Sequence, residues 1–199
     1  GDFFIPPLYD SPISFDDNEQ AQVRLRHLVG YIKKDGSYLV EPQFWSVFPD
    51  FSEGLAACAY RPNFNEVGYI NLKGEVQIPF KYLSAGPFSE GLAAVRVYTD
   101  SVYKHFDKYG YIDKLENFVI APQFTSAEPF SEGFAVVAQE YELKYGYIDR
   151  KGNYLIEPQL NEAKSFINGL AKVRIDKKWG LLRKDGTYLA EPQFDEIGT

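Results

Sequence analysis

The chain has 199 residues and a net charge of −7, and because its basic residues do not cluster, binding to nucleic acid or to an anionic membrane surface is disfavoured. No apolar run reaches the length of a membrane-spanning helix, and the single cysteine excludes an intramolecular disulfide. The lack of methionine is explained by a removed secretion signal, which favours an extracellular or periplasmic location, or by simple truncation.

One module recurs along the whole chain, and prolines mark its period. Units are predicted at about 8–42, 43–79, 80–122, 123–158 and 159–194, after a partial strand at 1–7. A period of this length indicates a solenoid, a propeller or an array. Because one such unit cannot bury its apolar face alone, we expect 1–199 to form a single repeat domain. The marker prolines are Pro7, Pro42, Pro79, Pro122, Pro158 and Pro192.

The first unit is irregular and carries His27 near its third strand. It replaces the Phe-Ser-Glu-Gly peptide of later units with a sequence that lacks the turn glycine, at 15–19. We expect His27 to be a half-exposed strand residue, because the chain's only other histidine, His105, gives no cluster at metal-ligand spacing. No metal site is predicted.

The Phe-Ser-Glu-Gly peptide opens the later units at 51–54, 88–91 and 130–133, with a weaker copy at 166–169. Its glycine predicts a tight turn, because such turns need a positive φ. The serine and glutamate are then expected to be turn residues that point to water. The alternative is a ring of Glu53, Glu90 and Glu132 that binds hard cations, and the turn position of each glutamate disfavours it.

The second strand of each unit is predicted to have one buried face. Ala56, Cys58 and Tyr60 begin a series that stays apolar in later copies, while the opposite series becomes polar at Arg96 and Arg174. Alternation of this kind is typical of a strand with one face in the core. Cys58 occupies a valine position of the series, so we interpret it as a small core residue and not as a nucleophile.

Each unit is predicted to be a four-stranded antiparallel meander, because strand-forming residues are frequent and Gly or Pro interrupts them regularly. In the last unit the strands are expected at 161–166, 170–176, 179–183 and 187–194. The recurrent proline lies in the fourth strand and removes a backbone donor, which places that strand at an outer edge. The predicted fold is all-β, most simply a five-bladed propeller-like body, with an open β-solenoid of hairpins as the alternative.

Aromatic residues concentrate in the loops between the second and third strands, where most of the length variation lies. In a meander these loops lie on the same side as the connection between units, which holds Trp45 and Phe48. That side is the predicted binding face, because aromatic residues and arginine are enriched in binding hot spots. Tyr60 and Tyr109 are expected to cap the core. The candidate binding residues are Trp45, Arg61, Phe64, Tyr98, Tyr103, His105 and Phe106.

The third strand of each unit begins with a residue pair that identifies a family resemblance. Lys178-Trp179-Gly180 matches the full pattern, Tyr145-Gly146 and Tyr109-Gly110 keep the aromatic residue, and the first two units have valine there. These landmarks resemble the WG repeat, also called the KWG repeat, of many bacterial and some eukaryotic proteins. The resemblance implies a β-rich, propeller-like scaffold without agreed catalytic residues.

We therefore expect a non-enzymatic scaffold, without catalytic residues or a cofactor, that recognises a protein or a glycan through its aromatic loops. One alternative is a carbohydrate-active enzyme with a carboxylate pair, for which Asp100 and Asp107 are the candidates. Another is a purely structural spacer, which an open-ended and polymerising body would favour. The sequence contains no indication of an oligomeric state.

Overall fold

The computed structural model describes residues 9–10, 13–15, 19–60, 66–99, 107–139 and 144–198, with backbone only at 47–50 and 60. These residues form strands and turns without helices, as predicted, so the described part of the chain contains no helix able to cross a membrane. Two compact units are present, Gly1–Pro87 and Phe88–Thr199. The single repeat domain stays a prediction, and the partial strand expected at 1–7 lies outside the described residues.

The first unit contains one long antiparallel sheet. Its strands are β1 (Gln20–Leu25), β2 (Leu28–Lys33), β3 (Tyr38–Ser52), β4 (Leu55–Tyr60), β5 (Val67–Asn71) and β6 (Val76–Tyr82), followed by the short β7 (Ser84–Ala85). Strands β1 to β6 are neighbours in sequence order. The five units predicted from the sequence are called repeats 1 to 5 from here on, and "unit" means one of the two compact bodies. Strand β3 belongs to two repeats, as the fourth strand of repeat 1 and the first strand of repeat 2. Repeat 2 continues through β4, β5 and β6.

The second unit contains the other strands of repeat 3 and all those of repeats 4 and 5. The remaining strands of repeat 3 are β8 (Ala93–Tyr98), β9 (Asp107–Ile112) and β10 (Phe118–Phe124). Repeat 4 contains β11 (Ser126–Ala127), β12 (Phe134–Gln139), β13 (Lys144–Asp149) and β14 (Tyr154–Leu160). Repeat 5 contains β15 (Glu162–Ala163), β16 (Leu170–Ile175), β17 (Lys178–Arg183) and β18 (Tyr188–Phe194). In repeats 4 and 5 the four strands pair in sequence order. The first strand of repeat 5 is much shorter than predicted.

The proline-marked fourth strand lies at a sheet edge, as predicted, in β6, β10, β14 and β18. Strand β3 is the exception, since it lies between β2 and β4. Its ladder with β4 begins only at Phe44, after Pro42. The missing donor of Pro42 is therefore tolerated because that part of β3 has one neighbour.

A backbone bulge explains why glycine and proline recur together. Tyr109 pairs with Phe124 and Tyr111 pairs with Ile120, so three residues of β9 face five of β10. The extra backbone folds against the intervening Gly110, where a Cβ atom would lie 2.7 Å from the Ile120 carbonyl oxygen. Any side chain at this glycine would displace the fourth strand, and the bulge accommodates a proline beside it. The same register shift occurs in all five repeats.

The cores lie between successive repeats. On β12, Ala135 and Val137 pack with Tyr111 of repeat 3, whereas the intervening Val136 packs with Phe166 of repeat 5. The predicted inward series is therefore buried, but the expectation of one buried face is wrong for interior strands. The physical reason is that stacked sheets cover both faces of the sheet between them.

The structure confirms the prediction that Cys58 is a small core residue. It is fully buried and packs in a cluster with Tyr31 and Phe44 of the preceding repeat. Burial raises the pKa of its thiol to about 12, so the thiol carries no nucleophilic charge at neutral pH.

The Phe-Ser-Glu-Gly peptide forms the predicted tight turn, with φ of 52° at Glu132 and 90° at Gly133. Its polar side chains do not simply point to water, which corrects the sequence interpretation. The Ser131 hydroxyl donates to the Phe166 carbonyl oxygen at 2.7 Å, and the Gly169 N–H donates to Glu132 Oε2 at 2.9 Å. This junction between repeats 4 and 5 is bonded because stacking brings the turn of repeat 5 beside that of repeat 4. Ser89 and Glu90 bond repeat 4 likewise.

His27 is an exposed turn residue and not a strand residue. It has a φ of 70° and follows Arg26 in the two-residue turn between β1 and β2. The prediction failed because the pair contains no glycine, the usual residue at positive φ. The turn places the His27 ring outside the ladder.

Candidate ligand-binding grooves

The structure describes two of the seven predicted binding residues. Trp45 is half-buried in the first unit, and Tyr98 is 48% exposed at the end of β8 in the second unit. The predicted site at the centre of the longest loop therefore stays a prediction. Arg61, Phe64, Tyr103, His105 and Phe106 lie outside the described residues.

Trp45 lies where β3 passes from one repeat to the next. The register of β3 against β4 shifts between Phe44 and Ser46, so Trp45 leaves the regular ladder. The buried Phe44 anchors the strand on one side. The His27 ring lies 6.5 Å from the Trp45 ring, between centroids. The turn of repeat 1 and the connection to repeat 2 therefore lie on the same side of this unit.

A groove of about 490 Å³ opens beside Trp45. We call it the Trp45 groove, and its walls are the connection that holds Trp45 and the following connection around β7. Ala59 of β4 and Val67 of β5 form its floor. Its volume falls within the range of small-molecule and side-chain pockets. The lining residues are Trp45, Ser46, Ala59, Val67, Leu83, Ser84 and Ala85.

A second groove, of about 600 Å³, occupies the equivalent place between repeats 4 and 5. We call it the polar groove. Tyr145 takes the position of Val67, and the connection at 161–165 takes the position of the connection around β7. The groove differs in chemistry, because its lining includes two carboxylates, an amide and an ammonium group. The lining residues are Glu128, Val136, Tyr145, Asn161, Glu162, Ala163, Lys164 and Ser165.

One cross-strand position is alike in the two repeats whose third strands line these grooves. The residue opposite the first residue of the third-strand pair is alanine in repeats 2 and 4, where Ala59 faces Val67 and Ala138 faces Tyr145. In repeat 3 the same position is Arg96, whose guanidinium lies 5.8 Å from the centroid of the Tyr109 ring. An arginine there covers the aromatic ring, and an alanine leaves it open to the groove.

Repeat 5 shows the covered arrangement again. Arg174 faces Trp179 across the ladder, with its guanidinium 5.7 Å from the indole centroid, and it forms an ion pair with Glu162. The alternation of alanine and arginine is visible in the sequence as a difference between copies. Its meaning was missed because the register across the strands was needed to place it beside the aromatic residue.

Asp107, one of the two carboxylates proposed for an enzyme, is held by the arginine that covers the ring in repeat 3. Asp107 forms an ion pair with Arg96, beside the ring of Tyr109. Asp100 lies outside the described residues. Tyr109 packs against the core of repeats 3 and 4, as expected of a capping residue. Asp107 therefore stabilises the arginine cover of repeat 3.

The repeat unit has a known counterpart. A family model described as "WG containing repeat" matches residues 30–57, 68–98, 109–141, 145–179 and 179–199. The chain belongs to the WG-repeat family. In this WG-repeat protein the residue that precedes the family's glycine lines both grooves, as Val67 and Tyr145. No curated protein matches the chain.

Several solved structures are similar to this WG-repeat protein. A eukaryotic initiation factor aligns with a TM-score of 0.59 and 9% identity over 91% of this chain and 53% of that chain. Virginiamycin B lyase from Staphylococcus aureus aligns at 0.46 and 13% identity over 92% and 70%, and a nidogen/laminin complex at 0.48 and 7% identity over 89% and 77%. The predicted fold class, tandem antiparallel meanders of the propeller-like kind, is confirmed.

Proposed function

We propose that this WG-repeat protein is a non-enzymatic binding scaffold that holds a protein partner through the Trp45 groove. The observation that carries the proposal is the half-buried indole of Trp45 at the wall of a groove whose other walls are mainly aliphatic. Tryptophan in such a position is the residue type most enriched in binding hot spots. The occupant is a large apolar side chain from an exposed segment of the partner.

The lining favours a protein over a glycan in this groove. Ser46 and Ser84 provide the only side-chain hydrogen-bonding groups besides the indole N–H among the residues that line it. A sugar ring would leave most of its hydroxyl groups without partners, which costs free energy. An aliphatic or aromatic side chain has no such requirement and gains by leaving water.

The two alternative functions have less support. An enzyme would need a pair of available carboxylates, and Asp107 is held by Arg96. A polymerising spacer would need repeat 5 to bond a further repeat through the same side chains. Repeat 5 has Ile167 and Asn168 where repeats 2 to 4 have serine and glutamate, and Leu181 where Tyr147 stands in repeat 4.

Selection of phage-displayed random peptides on the intact chain tests the proposal. We expect enriched peptides to share one large apolar residue. Trp45→Ala should weaken their binding about 30-fold, as expected for a hot-spot residue, measured by calorimetric titration of a synthetic peptide. Ala59→Arg should also abolish binding, because it introduces the arginine that covers the equivalent position in repeat 3.

Leu189→Ala is the matched control, since Leu189 is an exposed apolar residue in the other unit. It should leave peptide binding unchanged, and a melting curve of each variant verifies that it folds. The proposal fails if no peptide is enriched, or if the enriched peptides bind Trp45→Ala as tightly as the parent chain.

A further inference from the structure

We propose that the polar groove between repeats 4 and 5 is a binding site for a neutral saccharide. The groove is separate from the Trp45 groove, and the proposal does not depend on a protein partner there. The groove combines hydrogen-bonding side chains, balanced charges and the half-buried ring of Tyr145.

Lys164 presents its ammonium group from a fixed backbone. Its own N–H donates to the Lys172 carbonyl oxygen at 2.9 Å, and its carbonyl oxygen accepts the Tyr147 hydroxyl at 2.7 Å. The side chain itself is exposed and lines the groove. A ligand therefore meets three N–H donors on a backbone that binding does not need to rearrange.

Asn161 is oriented by the hairpin of its own repeat. Its Oδ1 atom accepts the backbone N–H of Asp176 at 3.1 Å, so its amide nitrogen is the group that remains to donate to a ligand. Glu162, the next residue, is held by its ion pair with Arg174. The groove thus contains amide and carboxylate groups whose positions are set before a ligand binds.

The charges in the groove balance. Arg174 neutralises Glu162, and the remaining charged side chains, Glu128 and Lys164, have opposite signs. An anion would meet Glu128 and a cation would meet Lys164. A ligand with many hydroxyl groups matches both, because each hydroxyl donates one hydrogen bond and accepts others. Neutral saccharides are the ligand class with this chemistry.

Tyr145 supplies a flat aromatic surface for such a ligand. Its ring is half-buried, and the residue opposite it is Ala138. The corresponding rings of Tyr109 and Trp179 each lie beneath an arginine guanidinium. Tyr145 therefore exposes apolar ring surface next to polar groups, the combination that orients a ligand in a pocket.

Binding of the intact chain to an array of neutral glycans, followed by calorimetric titration with the best-bound free saccharide, tests the proposal. We expect Lys164→Ala to weaken binding about tenfold through a lost charge-assisted hydrogen bond. Tyr145→Val, which introduces the residue found in repeats 1 and 2, should weaken binding at least as much. Raising the salt concentration should leave the affinity unchanged, because a neutral ligand is not screened.

Two controls separate this site from the rest of the molecule. Lys151→Ala removes an exposed lysine from a turn of the same unit, outside the groove, and Ala59→Arg changes the lining of the Trp45 groove in the other unit. Both should bind the saccharide normally, and a melting curve of each verifies that it folds. The proposal is overturned if no neutral glycan binds, if Lys164→Ala binds like the parent, or if salt abolishes binding and so identifies a charged ligand. Loss of binding in Ala59→Arg would assign the saccharide to the Trp45 groove instead.

Discussion

The last residue of the fourth strand differs in exposure between repeats 4 and 5. Leu160, at the end of β14, is fully buried beneath repeat 5, whereas Phe194, at the equivalent position of β18, is 42% exposed. Both positions pair with the aromatic residue of the third strand, Tyr145 or Trp179. Leu160 is therefore buried by its contacts with residues of repeat 5.

The polar residues of the repeat also differ between repeats 4 and 5. In repeat 4, Ser131, Glu132 and Tyr147 each form a hydrogen bond to repeat 5. In repeat 5 the corresponding residues are isoleucine, asparagine and leucine, and Ile167 is 68% exposed. The serine and glutamate of repeats 3 and 4 therefore bond the next repeat, and the local turn requires only a residue that tolerates positive φ.

Phenylalanine truncation should give the largest contrast between a buried residue at a junction and an exposed residue at the equivalent position. We expect Phe124→Ala, which removes a fully buried ring, to lower the free energy of unfolding by about 3–5 kcal/mol. Phe194→Ala, at the equivalent exposed position, should cost less than about 1 kcal/mol. Urea denaturation measures both. Equal losses would mean that the end of the fourth strand is stabilised within its own repeat.

Tyr147, at the junction between repeats 4 and 5, should make a smaller contribution to the free energy of unfolding, and that contribution should depend on pH. Tyr147→Phe removes the hydroxyl that donates to Lys164, and we expect it to cost about 1 kcal/mol at neutral pH. Burial raises the pKa of Tyr147 above its ordinary value of 10.0. The folded chain then keeps a proton that the unfolded chain loses, so stability is fully present below about pH 10 and falls as the pH rises further.

Tyr147→Phe should therefore reduce the alkaline loss of stability relative to the parent chain. Denaturation curves measured at neutral pH and above pH 10 provide the comparison. An alkaline loss of the same size in the variant would show that Tyr147 does not contribute to it.

The serine of the motif should give the smallest contrast. Ser131→Ala removes one hydrogen bond across the junction and should cost about 1 kcal/mol. Ile167→Ala changes the equivalent residue of repeat 5 and should stay within about 0.5 kcal/mol, because that side chain is largely exposed. The junction role of the serine is wrong if the two variants are indistinguishable.

Much of the fold was predictable because its signals are local. Gly133 needs a positive φ and Pro122 needs a strand without a second neighbour, and both requirements are visible from the residue type alone. The partner of Glu132 was not predictable in this way. Gly169 lies 37 residues later in the chain, and only stacking of two repeats brings them together.

The two grooves also differ in how far they could be predicted from the sequence. Trp45 was a candidate from the sequence because an aromatic residue at a connection between repeats is informative without knowing its neighbours, and its role in binding stays a prediction. The polar groove was missed because its residues are ordinary polar side chains, and Ala138 becomes meaningful only when it faces Tyr145 across the ladder. The alanine itself is visible in the sequence, but its place opposite Tyr145 depends on the register between the strands.

The sequence alone determined the repeat, the family, the antiparallel meander and the glycine-containing turns, because these are written in residue types that lie within a few positions of one another. Tertiary structure decided which faces are buried, what the motif side chains bond and which repeats have open grooves. These properties depend on contacts between repeats about 36 residues apart, a distance over which local conformational preference carries no information.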